Sequence, residues 1–121
     1  MTENFLMTEA ASVLLFSYGT LQQDEVQLSS FGRLLDGEED AMTGHTTAMV
    51  EITDPDVLRA SGKRFHPVVI PSKNPSDEVT GKVFRITEAE LRAADAYEVS
   101  DYKRVEVTLR SGRTAWVYVQ A

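Results

Sequence analysis

Six short segments of this chain carry strand signals and only two carry helix signals, which leaves 121 residues few ways to fold. Ser12–Ser17 is a continuous apolar run with the length of a buried strand. Met42–Ile52 is rich in threonine and β-branched residues, with Gly44 marking a bulge. Phe65–Ile70 reads as an edge strand, because Pro67 cannot donate to a ladder. Val79–Ile86 follows. Val105, Val107 and Leu109 then alternate with polar residues up to a Ser111-Gly112 turn, from which Thr114–Val119 returns as a hairpin partner. A short helix over Asp24–Phe31 stops at Gly32. A second opens with the capping box Thr87-Glu88-Ala89-Glu90 and runs to about Val99. Asp54–Gly62 carries turn chemistry, and Asp36–Asp40 and Lys73–Asp77 read as polar loops. This order predicts a mixed α/β (α+β) domain whose many strands form a barrel or a strongly curved sheet.

A chain of this length buries roughly two-thirds of its unfolded surface and builds one core without disulfides. Residues 1–10 read as a polar lead-in and 11–121 as a single domain. There is no cysteine, which excludes thiolate zinc sites and a cysteine nucleophile. The two histidines, His45 beside Gly44 with no ligand partner at metal spacing and His66 before Pro67 as a turn or packed residue, give no reason to expect a metal site. The formal net charge of −7 is a poor match to a phosphate backbone and argues against nucleic acid. Eleven acids and two bases fall in residues 1–62, against eight and ten beyond. No run approaches the roughly 18 apolar residues of a membrane span. Without a Lys or Arg before Arg33, the chain reads as cytoplasmic.

Two places carry chemistry. Tyr18-Gly19-Thr20-Leu21 directly follows the first strand, where glycine permits a tight turn and close approach to backbone amides. Amides grouped there suit a carboxylate or an oxyanion. The second place is Asp95-Ala96-Tyr97-Glu98 on the capped helix. Leu91, Ala94, Asp95 and Glu98 share a stripe at helical spacing, and the first two want burial. Glu98 thus either turns inward, where desolvation raises its pKa toward that of a general base, or ends a fraying helix in water. Asp95 either raises that pKa further or orients a neighbour. Trp116 and Tyr118 share a face of the last strand, as core, rim or pocket mouth. Arg104 reads as a solvated strand end.

Taken together, Tyr18-Gly19-Thr20-Leu21, His66-Pro67-Val68, Thr80–Ile86, Asp95-Ala96-Tyr97-Glu98, Tyr102 with Arg104, and Ala115–Tyr118 resemble the gamma-glutamylcyclotransferase-like family, in particular its small plant and bacterial, gamma-glutamylamine cyclotransferase-like branch. The resemblance implies a small closed or nearly closed mixed β-barrel flanked by helices. It also implies cyclisation of a small-molecule γ-glutamyl substrate to 5-oxoproline, releasing an amine or amino acid without a cofactor. Carried over by position, Glu98 matches the general acid/base. Tyr18, Gly19, Thr20 and Leu21 match the loop that holds the glutamyl end, and Tyr118 an aromatic position near the pocket. Leaving-group specificity is then expected in Asp36–Ala41 and Ser72–Asp77. The alternative is a non-catalytic barrel of the same fold that binds a small carboxylate metabolite or a protein partner.

Overall fold

A computed structural model describes residues 12–51, 55–61, 65–98 and 102–120. The expected lead-in over 1–10 and the helix end at Val99 lie outside the described residues. Strand β1 (Val13–Ser17) enters first, and a 3-10 turn (Thr20–Gln22) and helix α1 (Asp24–Phe31) follow it. Next come β2 (Asp36–Thr43), β3 (His45–Glu51), α2 (Pro55–Ser61), β4 (Phe65–Pro71) and β5 (Glu78–Ile86). Helix α3 (Glu88–Tyr97) and the hairpin β6 (Tyr102–Thr108) and β7 (Thr114–Gln120) complete the chain.

Five strands form one sheet in the order β2-β5-β1-β7-β6, and β3 and β4 pair in a second. β1 runs antiparallel to β5 and parallel to β7. It is apolar throughout because both of its faces are covered. Val13 and Leu15 join Phe84, Ile86, Leu91, Ala94 and Val26 on the side of α1 and α3. Phe16 joins Met42, Val79, Val83, Val117 and Val69 of β4 on the other side. The larger sheet is therefore a middle layer between helices and a two-stranded ribbon.

The sheet does not close, which corrects the expected barrel: among the described residues no ladder joins β4 to the larger sheet. The reason lies in the parity of β4. The Val69 amide bonds to the Tyr18 hydroxyl and so faces the edge away from β3. Residues 67 and 71 share that edge by period-two alternation, and both are prolines without an N–H. Of the four residues on that edge two lack a donor, and they alternate with Phe65 and Val69, so a continuous ladder cannot form there.

Other differences have local causes. The expected strand over Met42–Ile52 divides at Gly44, whose φ of 71° turns the chain out of the larger sheet and into the ribbon. The turn region after Asp54 holds α2, with Asp56 in its first turn and Arg59 in its last. Asp36–Asp40 is not a loop but most of β2, paired with β5. Two of its four acids have partners: the buried Asp40 accepts from the Ser111 hydroxyl at 2.5 Å and its amide at 3.2 Å, and Glu38 pairs with Arg113. Gly81 allows β5 to lie close to the end of β1. A Cβ there would meet the Ser17 carbonyl oxygen at 2.3 Å.

Candidate active site

The open edge between β4 and β7 becomes a cleft at the end of β1. Phe16, Ser17, Tyr18, Gly19, Thr20 and Leu21 line it from β1 and the following turn, Pro67 from β4, Tyr102 from β6 and Tyr118 from β7. Glu98 completes the lining. Counted out to its open mouth the space is about 350 Å³. All the residues expected to form a site thus meet at one place. Neither Asp36–Ala41 nor Ser72–Asp77, expected to set specificity, lines the cleft.

Helix α3 delivers Glu98. Thr87 Oγ1 accepts from the Glu90 amide at 3.1 Å, and Glu90 Oε1 accepts from the Thr87 amide at 2.9 Å, as the capping box requires. Arg33 grips the same carboxylate from Nε at 2.6 Å and Nη2 at 2.8 Å, so the helix start is tied to the segment after α1. Leu91 and Ala94 pack into the core. The helix stops at Tyr97, short of the expected end, and Glu98 takes extended backbone at φ −72° and ψ 142°. Its amide still bonds the Ala94 carbonyl.

The Glu98 carboxyl is desolvated, and burial alone pushes its pKa up to about 7. No donor among the described residues bonds it. All four tyrosines of the chain stand around it with their hydroxyls engaged elsewhere. Tyr18 donates to the Tyr118 carbonyl at 2.6 Å and accepts from the Val69 amide at 3.0 Å. Tyr97 shares a hydrogen bond of 2.8 Å with Thr20 Oγ1. Tyr102 donates to the Pro67 carbonyl at 2.9 Å, and Tyr118 to Asp95 Oδ1 at 2.7 Å. Burial pushes the Tyr18 phenol up to about 12, and raises Tyr97 and Tyr118 in the same direction.

Asp95 therefore orients a neighbour instead of acting on Glu98. Its carboxylate also takes two hydrogen bonds from Arg104, at 2.8 and 3.1 Å. Arg104, expected as a solvated strand end, is clamped there and lies 4.3 Å above the Trp116 ring, in cation–π contact.

Across the cleft, the Gly19 amide is 3.3 Å from Ser17 Oγ. The Thr20 and Leu21 amides open the 3-10 turn and have no acceptor among the described residues, as expected at a helix start. Gly19 has φ −132°, open to other residues, and an added Cβ would meet nothing nearer than the Pro67 ring at 3.9 Å. Its value is room in the cleft, not a special dihedral. The side chains that sequence reasoning passed over here are Ser17 and Tyr97. Ser17 adjoins the Tyr18–Leu21 loop and Tyr97 lies inside Asp95-Ala96-Tyr97-Glu98, and that placement was the only signal for them.

No cluster of side chains among the described residues suits a metal ion, and no described helix is long and apolar enough to cross a membrane. Fold and site together define a small mixed α+β protein whose cleft holds a desolvated glutamate and the turn that follows β1. Residues 15–121 match the family described as gamma-glutamyl cyclotransferase, AIG2-like, and the chain belongs to that family. No curated protein sequence matches it. Among solved structures, an Arabidopsis thaliana protein studied in solution superposes with a TM-score of 0.67 at 24% identity, over 89% of this chain. This chain spans 61% of the length of that protein. A structure described as gamma-glutamyl cyclotransferase gives 0.66 at 17% identity, over 90% of this chain and 66% of that one. An uncharacterized Pyrococcus horikoshii protein gives 0.62 at 18%, over 90% and 78%. At these identities the structural likeness concerns the fold.

Proposed function

We propose that the chain is a γ-glutamyl cyclotransferase that closes a γ-glutamyl group to 5-oxoproline and releases the attached amine or amino acid, with Glu98 as general acid/base. The observation that carries this reading is the Glu98 carboxyl, without a donor among the described residues, in a cleft that Thr20 and Leu21 also line, where burial pushes its pKa up to about 7. The substrate's α-ammonium cannot attack until it loses a proton. Glu98 takes that proton, and the nitrogen lone pair adds to the γ-carbonyl carbon. The carbonyl electrons move onto oxygen and then return as the bond to the leaving nitrogen breaks. Glu98 gives its proton to that nitrogen and then takes the second proton from the ring nitrogen, which passes to the released amine and leaves a neutral lactam. Base and then acid work of this kind contributes about 10²- to 10⁴-fold in rate.

Nucleophile and carbonyl belong to one molecule, so the cleft has only to hold the folded-back conformer at attack distance. Among the described residues the lining holds no Lys or Arg. The amides at Thr20 and Leu21 are the donors on hand for the substrate carboxylate or the developing oxyanion. The tyrosine rings exclude water, which keeps Glu98 near the operating pH.

The test is release of 5-oxoproline from γ-glutamyl-alanine, γ-glutamyl-ε-lysine and glutathione by the purified protein and by Glu98→Gln. Turnover by the wild type, reduced at least about 10²-fold in a variant that still binds the substrate, is the expected result. Folded wild-type protein that binds these compounds without releasing 5-oxoproline would instead make this a binding module.

A further inference from the structure

The Tyr118 hydroxyl belongs to a buried side chain that lines the cleft with Glu98, yet its hydrogen bond leaves the cleft for Asp95 Oδ1 at 2.7 Å. Asp95 has no freedom to release it. Arg104 holds both carboxylate oxygens, and the guanidinium is seated on Trp116. Three elements contribute to this relay: α3 gives Asp95, β6 gives Arg104, and β7 gives Trp116 and Tyr118. Among the described residues, the other titratable groups around Glu98 are Tyr18, Tyr97 and Tyr102, whose hydroxyls are bonded to the Tyr118 carbonyl, to Thr20 and to the Pro67 carbonyl. Tyr18 and Tyr102 are bound to main-chain groups and Tyr97 to a hydroxyl. Tyr118 is tied to a charged side chain.

We propose that Asp95, clamped by Arg104, is a positioning residue that holds the Tyr118 hydroxyl away from Glu98 and so keeps the catalytic carboxyl without a donor. The inference rests on the reading of Glu98 as general base. The chemical logic is direct. A phenol that donates to a carboxylate stabilises its charged form and weakens it as a base. In a desolvated cleft a phenol that loses its acceptor takes the best one remaining, because a buried unsatisfied donor is costly. For Tyr118 that acceptor is the Glu98 carboxylate.

The experiment follows the Glu98 carboxyl directly, by ¹³C NMR titration with the signal assigned by its loss in Glu98→Gln. This readout does not depend on turnover, so it separates failure of this inference from failure of the proposed reaction. In Asp95→Ala the Glu98 titration should move down by about one pH unit, and the acid limb of kcat/KM should move with it. Asp95→Ala with Tyr118→Phe should return the titration to its wild-type position, since the competing hydroxyl is gone. Tyr118→Phe alone should leave it in place, because that hydroxyl is engaged already.

A downward shift that persists in the double variant would assign the effect to the lost charge of Asp95 and overturn the proposal. So would an unchanged titration in Asp95→Ala, or an upward one in Tyr118→Phe. Asp95 lies on the outer part of the helix with its side chain 38% exposed, and alanine favours helix, so the fold tolerates the change. The Tyr118→Phe measurement stands on its own in any case.

Discussion

Glu98 is held where its charge is a liability to the fold. In the unfolded chain its carboxyl titrates at its ordinary value near 4.5, while in the folded chain burial raises this to about 7. The sign follows from the protons bound. Below about pH 4.5 the group is protonated in both states and has no effect on stability. Between the two values the unfolded chain loses its proton first, so stability falls as pH rises. Above about 7 the full cost is present, and at about 1.4 kcal/mol per pH unit it reaches about 3 kcal/mol. Glu98→Gln should therefore unfold at higher urea than the wild type at pH 8.5, and at nearly the same urea at pH 4. Urea titrations at the two pH values check this. Coinciding midpoints at pH 8.5 would show that the carboxyl is solvated after all. The glutamate itself was legible in Asp95-Ala96-Tyr97-Glu98, whose spacing puts it on the stripe of Leu91 and Ala94. Its burial was not, since a helix end permits two orientations. The choice between them is made by tyrosines brought in from elsewhere in the chain.

At the scale of elements, α3 shows which parts of a helix a sequence announces. Its start is written locally, because the threonine, the glutamate and the two amides they bond lie within four residues. Its end is not. No glycine or proline follows Tyr97, and the helix ends where Glu98 turns to extended backbone beside the cleft. The solvated-loop reading of Asp36–Asp40 failed for a related reason. Five polar or glycine residues look like a loop until Ser111 and Arg113, from a distant hairpin, supply hydrogen bonds and charge. The first helix, by contrast, ends where its glycine said it would, with Gly32 in left-handed backbone at φ 73°. The capping box makes a prediction of its own. Thr87→Ala removes the acceptor for the Glu90 amide and should cost about 1 kcal/mol, read as a lower urea midpoint with an unchanged slope. The Arg33–Glu90 pair should survive it, because Glu90 keeps its contact with the Thr87 amide.

At the scale of the whole molecule, the ribbon of β3 and β4 has to be held to the larger sheet without a ladder. The mixed α+β class and five of the six expected strands could be read from hydrophobic period and turn residues, while the sixth divides at Gly44. The open seam could not, although Pro67 marked β4 as an edge strand, because closure depends on which edge its prolines face. Apolar packing of Val69 against Phe16 and Val117 supplies part of the attachment. Tyrosines supply the polar part. Tyr102 reaches from β6 to the Pro67 carbonyl, and the Tyr18 hydroxyl bridges the Val69 amide of β4 and the Tyr118 carbonyl of β7. Tyr18 thus does in one side chain what a rung of the missing ladder would have done. Tyr18→Phe keeps the ring and removes the bridge, leaving a donor and an acceptor unsatisfied in a mostly buried seam. The cost expected for such a pair is about 1–3 kcal/mol. Its signature is local as well as global. Amide exchange at Val69 should accelerate more than at Leu15, whose place in β1 lies inside the intact ladder to β5. Equal acceleration at both amides would mean that the ribbon and the sheet open together and that the hydroxyl bridge is not what joins them.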